Sequence, residues 1–340
     1  ATGKPVAAVS HVLGAFRTGP LDGLPVFSWI HDNGWTLVDL FFLISGYVFA
    51  HVYLTEAGLR GDVTFRKFMT ARIARLYPLH LVTLIATGAI LWFGAPATWT
   101  DVRADPYHFI LNLLFLQESG LNRSYSFNYP SWSISVEMLC YVVFIAAALR
   151  GKRAFGIAAA LLLCAGILMT MAGSSTATHI GRGLFGFFAG QLVWQHRASL
   201  GRVSTPMLLA IALAALLVPS VGALNLGIFL CMTLWPALLL LALRSRALCM
   251  APFRWLGDRS YSIYMLHAPV YAAINVFVFG STPVARAQWP LVAGGAALLI
   301  LVLAHFSFRY LERPARNWIN ARATGGAAPS PDRSEAPVTA

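Results

Sequence analysis

Residues 35–78 read WTLVDLFFLISGYVFAHVYLTEAGLRGDVTFRKFMTARIARLYP. The run 35–54 is apolar and long enough to cross a bilayer as a helix, which takes roughly 20 residues. A basic loop follows, and a second apolar run opens near Thr70. One carboxylate, Asp39, lies inside the first run. Four cations, Arg66, Lys67, Arg72 and Arg75, crowd the loop and the mouth of the next helix. An acid near one membrane face and a cationic cluster near the other predict a site that spans the bilayer. An anionic molecule would dock at the basic end, with chemistry deeper in.

The rest of the chain extends this pattern. Of 340 residues, 58% are hydrophobic and only 11% charged, against about 25% charged in a soluble domain. Such a chain has to set apolar surface against lipid, so the expected fold is an all-α polytopic membrane protein. Length and hydropathy predict about ten transmembrane helices, over 6–16, 35–54, 70–93, 132–149, 154–171, 180–194, 206–218, 224–243, 260–279 and 289–310. A short amphipathic piece is expected at 107–116. The first run is short for a span, so the natural amino terminus is expected to be missing or altered. Residues 323–340 are rich in Ala, Pro, Ser and Gly and read as a disordered cytoplasmic tail.

Charge sets the orientation. With the amino terminus inside, the inner loops, helix mouths and Lys4 carry all but five of the 25 Lys and Arg residues. The exceptions are Arg17, Arg103, Arg123 and Arg286 in outer loops and Arg182 within a span. Acids divide almost evenly. This is the positive-inside bias, so both termini are expected in the cytoplasm, as an even number of spans requires. The net charge of +12 is then accounted for by insertion, and no nucleic-acid partner is implied. Cys140, Cys164, Cys231 and Cys249 are scattered, with neither metal-ligand spacing nor a disulfide framework.

Ionisable groups inside spans cost several kcal/mol unless paired or hydrated, which makes each a functional candidate. His11 and Asp39 lie in the first two spans, each with a packing or interfacial alternative. Glu137, in SWSISVE, is hard to explain by packing. Arg182 could pair Asp39 or Glu137 as a structural bridge, or bind substrate. Pro269 frees a backbone carbonyl one turn back, which His267 or Tyr264 could satisfy. Arg72 and Arg75, at i and i+3, share a helix face at the lip of an apolar helix, where two guanidinium forks can grip phosphate oxygens. Ser45 with Gly46, and Gly181, Gly183, Gly186 and Gly190, read as close helix-packing positions.

Several segments, in order along the chain, resemble the membrane-bound acyltransferase 3 family. They are FFLISGY (41–47), the R-x-x-R-x-x-P pattern on Arg72, Arg75 and Pro78, SWSISVE (131–137), GRGLFGFFAG (181–190, loosely), GDRSYSIYMLH (257–267) and RYLERPAR (309–316). The family also has a basic residue well before its first-helix histidine. In this chain Lys4 stands too near His11 to match it.

The resemblance implies an acyltransferase domain over 1–322 in the inner (cytoplasmic) membrane. It implies transfer of an acyl group, commonly acetyl, from cytoplasmic acyl-CoA to a hydroxyl of a carbohydrate, cell-surface glycan or lipid-linked sugar, without a metal. Arg72 and Arg75, helped by Arg66 and Lys67, would hold the donor's phosphates. His11 would be the general base, with Asp39 or Glu137 orienting it. Ser45, Tyr47, Ser133, Ser135 and Arg182 are candidate substrate-binding liners. A proton-coupled transporter or flippase of an acyl chain or anionic lipid is the alternative, because carriers use the same intramembrane residue types.

Overall fold

A computed structural model describes Trp29 and residues 32–61, 63–94, 102–218, 223–280 and 288–323. The run 6–16 with His11, and the tail beyond Ala323, lie outside the described residues. What is described is almost entirely helical, with one two-stranded hairpin.

A 3-10 turn, Gly34–Thr36, opens into α1, Leu37–Tyr53. Its buried residues Asp39, Phe42, Leu43, Gly46, Phe49 and Ala50 fall at helical spacing on one stripe. The hairpin β1 (Leu54–Thr55) and β2 (Gly58–Leu59) turns the chain back, with Leu54 opposite Leu59. Thr64 caps α2, Phe65–Phe93, by accepting the Lys67 backbone N–H at 3.3 Å. Because this cap starts the helix five residues before the apolar run, Arg72 and Arg75 sit about 10 and 15 Å along α2. They are not at its mouth.

The short α3, Pro106–Leu113, is capped by Asp105. Then come α4 (Trp132–Ala148), α5 (Lys152–Met171), α6 (Ser175–Gln195) and α7 (Thr205–Leu217). The expected span 224–243 is two helices, α8 (Ala223–Met232) and α9 (Leu234–Arg244). Pro236 has no N–H to give the Met232 carbonyl, and at the break the Thr233 hydroxyl donates to the Phe229 carbonyl at 2.7 Å. The last helices are α10 (Ala251–Ala273), α11 (Trp289–Ser307) and α12 (Arg313–Ala323), the last two joined by a π turn at Phe308–Glu312.

Among the described residues, seven helical stretches are long and apolar enough to cross a membrane. They correspond to seven of the ten expected spans. Of the other three, one lies outside the described residues. One is α7, only 13 residues long. One is the glycine-rich α6. Outward positions on the spanning helices are apolar and exposed, among them Ile157, Leu161 and Leu168 on α5, as a lipid-facing surface requires.

The centre of the bundle is α1, α4 and α6, which run parallel. Leu43 abuts Gly190 and Asp39 abuts Gly186, while Ser45 meets Glu137 and Phe49 stacks on Tyr141. The approach is close enough that a Cβ on Gly46 would stand 1.8 Å from the Phe187 carbonyl oxygen, and one on Gly190 1.9 Å from that of Leu43. α5 packs antiparallel on α6 through Gly166 and Gly181. Three parallel helices separated in sequence by antiparallel returns put the starts of α1, α4 and α6 at one end of the bundle. The hairpin and the start of α2 are at the other.

Candidate active site

The shared packing of α1, α4 and α6 aligns their polar residues in two layers. The first lies near the helix starts. Arg182 donates from Nε to Asp39 Oδ1 at 2.7 Å and from Nη2 to the Trp35 carbonyl at 2.9 Å. Its guanidinium also lies over the rings of Trp35 and Trp132, 4.7 and 5.4 Å from their centroids. Of the two partners the sequence allows for Arg182, the fold selects Asp39. The other oxygen, Asp39 Oδ2, is buried without a hydrogen-bond partner among the described residues.

The second layer lies about 9 Å further along α1, six residues on. Here Glu137 Oε1 accepts from Ser45 Oγ at 3.1 Å and from the Tyr141 hydroxyl. Glu137 Oε2 is buried and unpartnered among the described residues. Arg75 and Arg72 act on this carboxylate electrostatically from α2. The two arginines differ. Arg72 is half-buried, its guanidinium 5.1 Å from the centroid of Phe49 and bonded to the Tyr53 hydroxyl at 3.1 Å. Arg75 is exposed, as are Arg66 and Lys67 at the basic end.

The remaining candidates spread around this frame. Ser133 bonds the Tyr264 hydroxyl at 2.8 Å, tying α4 to α10. Ser135 donates to the Phe115 carbonyl at 2.6 Å and accepts from the Glu118 N–H at 3.3 Å, anchoring the loop after α3. Tyr47 packs its backbone against Gly190 and stacks on His51, apart from Glu137. The carbonyl that Pro269 frees is that of Met265. Asn128 satisfies it at 2.9 Å, where the sequence pointed to His267 or Tyr264. His267 bonds the Tyr264 carbonyl instead.

One pair near the first layer was not singled out from sequence, and Glu312, part of the RYLERPAR segment, lies instead toward the basic end. His179 Nδ1 faces Glu118 Oε1 at 3.0 Å, and its ring stacks on Trp132 at 4.0 Å. Glu312 Oε1 accepts from Ser262 and Ser307 at 2.6 and 2.8 Å, close enough to Arg75 to feel its charge. Among the described residues no group of three or more His, Cys, Asp or Glu is gathered for a metal ion.

The family model described as an acyltransferase domain matches residues 8–306. The putative peptidoglycan O-acetyltransferase YrhL of Bacillus subtilis (strain 168) is 26% identical over 85% of this chain and 51% of its own. The peptidoglycan O-acetyltransferase OatA of Listeria monocytogenes is 26% identical over 85% of this chain and 52% of its own. The acyltransferase MdmB of Streptomyces mycarofaciens is 29% identical, covering 88% and 85%. The chain thus spans about half the length of the first two. No solved structure matches it. A multi-pass helical bundle with paired intramembrane acids and arginines, matched by the family model over most of its length, belongs to the acyltransferase 3 family.

Proposed function

We propose that this chain is an integral-membrane O-acyltransferase. It moves an acyl group, acetyl in the simplest case, from cytoplasmic acyl-CoA to a hydroxyl of a carbohydrate, cell-surface glycan or lipid-linked sugar. It lies in the inner membrane among lipids, with ten helices over 1–322 and both termini inside, the orientation that the positive-inside bias favours.

In this reading the donor's phosphates meet Arg66, Lys67 and Arg75 at the basic end, with Arg72 beneath them. The thioester reaches the level of Glu137. His11, as a neutral imidazole, takes the proton from the acceptor hydroxyl while its oxygen attacks the thioester carbonyl. The carbon–sulfur bond breaks, and the leaving thiolate receives that proton as the sulfhydryl of coenzyme A. Glu137 or Asp39 orients the imidazole. The acceptor approaches from the opposite end, over Arg182 and Ser133.

The observation that carries the reading is the buried Glu137 carboxylate. It has one oxygen held by Ser45 and Tyr141 and the other unpartnered among the described residues, and just beyond it Arg72 of α2 lies over Phe49, which stacks on Tyr141. A buried acid left half satisfied costs stability and persists where function requires it.

The test uses purified protein in sealed proteoliposomes with labelled acetyl-CoA and a sugar panel, read by mass spectrometry of the lumen and the outer solution. Equimolar coenzyme A and acetyl sugar are expected, and His11→Ala is expected to insert normally but transfer nothing. Label crossing the bilayer without coenzyme A release would replace this reading with the transporter.

A further inference from the structure

We propose that His179, Glu118 and Trp132 form the subsite that receives the acceptor sugar, with His179 Nε2 binding the hydroxyl to be acylated. The proposal rests on the acyltransferase reading and adds to it a site on the end of the bundle away from the donor cations.

The geometry is specific. His179 lies one turn before Arg182 on α6, so both point into the same space between α1, α4 and the loop after α3. Glu118 is almost fully buried in the first part of that loop. The loop is clamped to the start of α4 by Gln117 Nε2 donating to the Ser131 carbonyl at 2.9 Å and by the Glu118 N–H on Ser135. Glu118 Oε1 takes His179 Nδ1 at 3.0 Å. A carboxylate on Nδ1 fixes the ring's orientation and leaves Nε2 as its free position. Trp132 holds the plane of the imidazole, its ring 18° from parallel at 4.0 Å.

The surroundings suit a sugar. Tyr125 lies 6.0 Å from His179 and packs edge-on against Tyr129 at 4.5 Å. Burial, and then the nearby Tyr129 and Glu118, push the Tyr125 hydroxyl up from its ordinary range, so it remains a neutral hydrogen-bonding group. Tyr125 and Tyr129, both half-buried, give flat apolar faces with polar edges, Trp132 backs the His179 ring, and Glu118, His179 and Arg182 give convergent polar groups. That mixture binds polyhydroxylated rings. In sequence these aromatics suit a sugar and an interfacial belt equally. In the fold they surround an ionisable pair.

A stitch between loop and helix would use the same Nδ1 contact, and two isosteric variants separate the roles. In His179→Asn the amide reproduces the Nδ1 position and keeps Glu118 paired, but Nε2 is lost. In His179→Gln the amide reaches the Nε2 position. The full chain in nanodiscs is assayed with acetyl-CoA against N-acetylglucosamine, glucose and chitotetraose. The expected result is a sugar KM raised about tenfold in His179→Asn, the value of one lost hydrogen bond. His179→Gln should stay near wild type, and the acetyl-CoA KM should be unchanged in both.

Unchanged sugar KM in His179→Asn overturns the subsite, and so do equal losses in both variants. If neither variant assembles by size-exclusion chromatography, Trp132→Phe decides, with an unchanged sugar KM counting against the proposal. Wild-type protein that acylates none of the sugars overturns the carbohydrate reading above, and this subsite with it.

Discussion

Arg182 Nε stands 2.7 Å from Asp39 Oδ1, joining α6 to α1 across 143 residues of sequence. Both side chains are buried, with 9% and 2% of their surface exposed. The charge on Arg182 is further accommodated by the Trp35 carbonyl and by two indole faces. The closest approach of α1 and α6 lies further along, at Gly46 and Gly190; the ion pair pins the same two helices nearer their starts and so helps set the level at which Ser45 meets Glu137.

Removing one member of a buried ion pair leaves the other charge uncompensated, at a cost of about 3–5 kcal/mol, while removing both is far milder. Asp39→Ala and Arg182→Ala should therefore each lower the unfolding temperature in detergent more than the double variant Asp39→Ala/Arg182→Met does. Additive losses would show that the two side chains do not depend on each other.

A second prediction concerns backbone approach. Gly46→Ala forces a Cβ against the Phe187 carbonyl at 1.8 Å. Backbone cannot rotate away as a side chain can, so α1 must separate from α6. Monodisperse protein should be lost. Gly295→Ala is the control, since nothing stands within 4 Å of its added Cβ and alanine favours a helix by about 1 kcal/mol over glycine. Fluorescence-detected size exclusion of the two variants side by side checks this.

The membrane class and the close-packing role of Gly46 and Gly190 are local properties, so both are legible in the sequence. An apolar run must be buried in lipid wherever it lies, and a small residue in a span permits approach whatever the neighbour. Partner choice is not local. Glu118 sits in an irregular loop, LQESG, and nothing in those residues announces an imidazole 61 positions away. Likewise the Met265 carbonyl finds Asn128 across 137 residues, although adjacent groups were the obvious candidates. The start of α2 is not marked by apolarity, which begins at Thr70, because the Thr64 cap begins the helix earlier. That difference moves Arg72 from the mouth of the helix into an aromatic cluster.

The two family arginines should therefore separate on mutation. Arg75 is exposed, where it can meet a phosphate, so Arg75→Ala should raise the acetyl-CoA KM and cost less thermal stability than Arg72→Ala. Arg72 is wedged among Phe49, Tyr53 and Phe68, where cation–π contacts contribute about 0.5–2 kcal/mol. Arg72→Ala should lower stability as well as donor binding. Arg72→Lys should rescue little, because a planar fork stacks on rings and an ammonium does not reproduce it. Calorimetric titration of coenzyme A, paired with thermal unfolding, distinguishes the two. Identical behaviour of the two alanine variants would remove the distinction.

Glu137 gives the sharpest functional prediction. Glu137→Gln keeps the shape and the Ser45 contact but removes the charge that Arg72 and Arg75 face. Folding should survive, since a neutral amide is cheaper to bury than a carboxylate. If Glu137 orients the catalytic base and stabilises its charged form, transfer should fall by about 10²–10⁴, the range for an acid–base group, with the acetyl-CoA KM little changed. Tyr141→Phe removes only one donor to Oε1 and should cost far less. Steady-state coenzyme A release for the two variants, at matched folded protein, measures both. A Glu137→Gln variant as active as Tyr141→Phe would mean that the carboxylate serves packing alone, and the catalytic centre would have to be sought in the layer of Asp39 and Arg182.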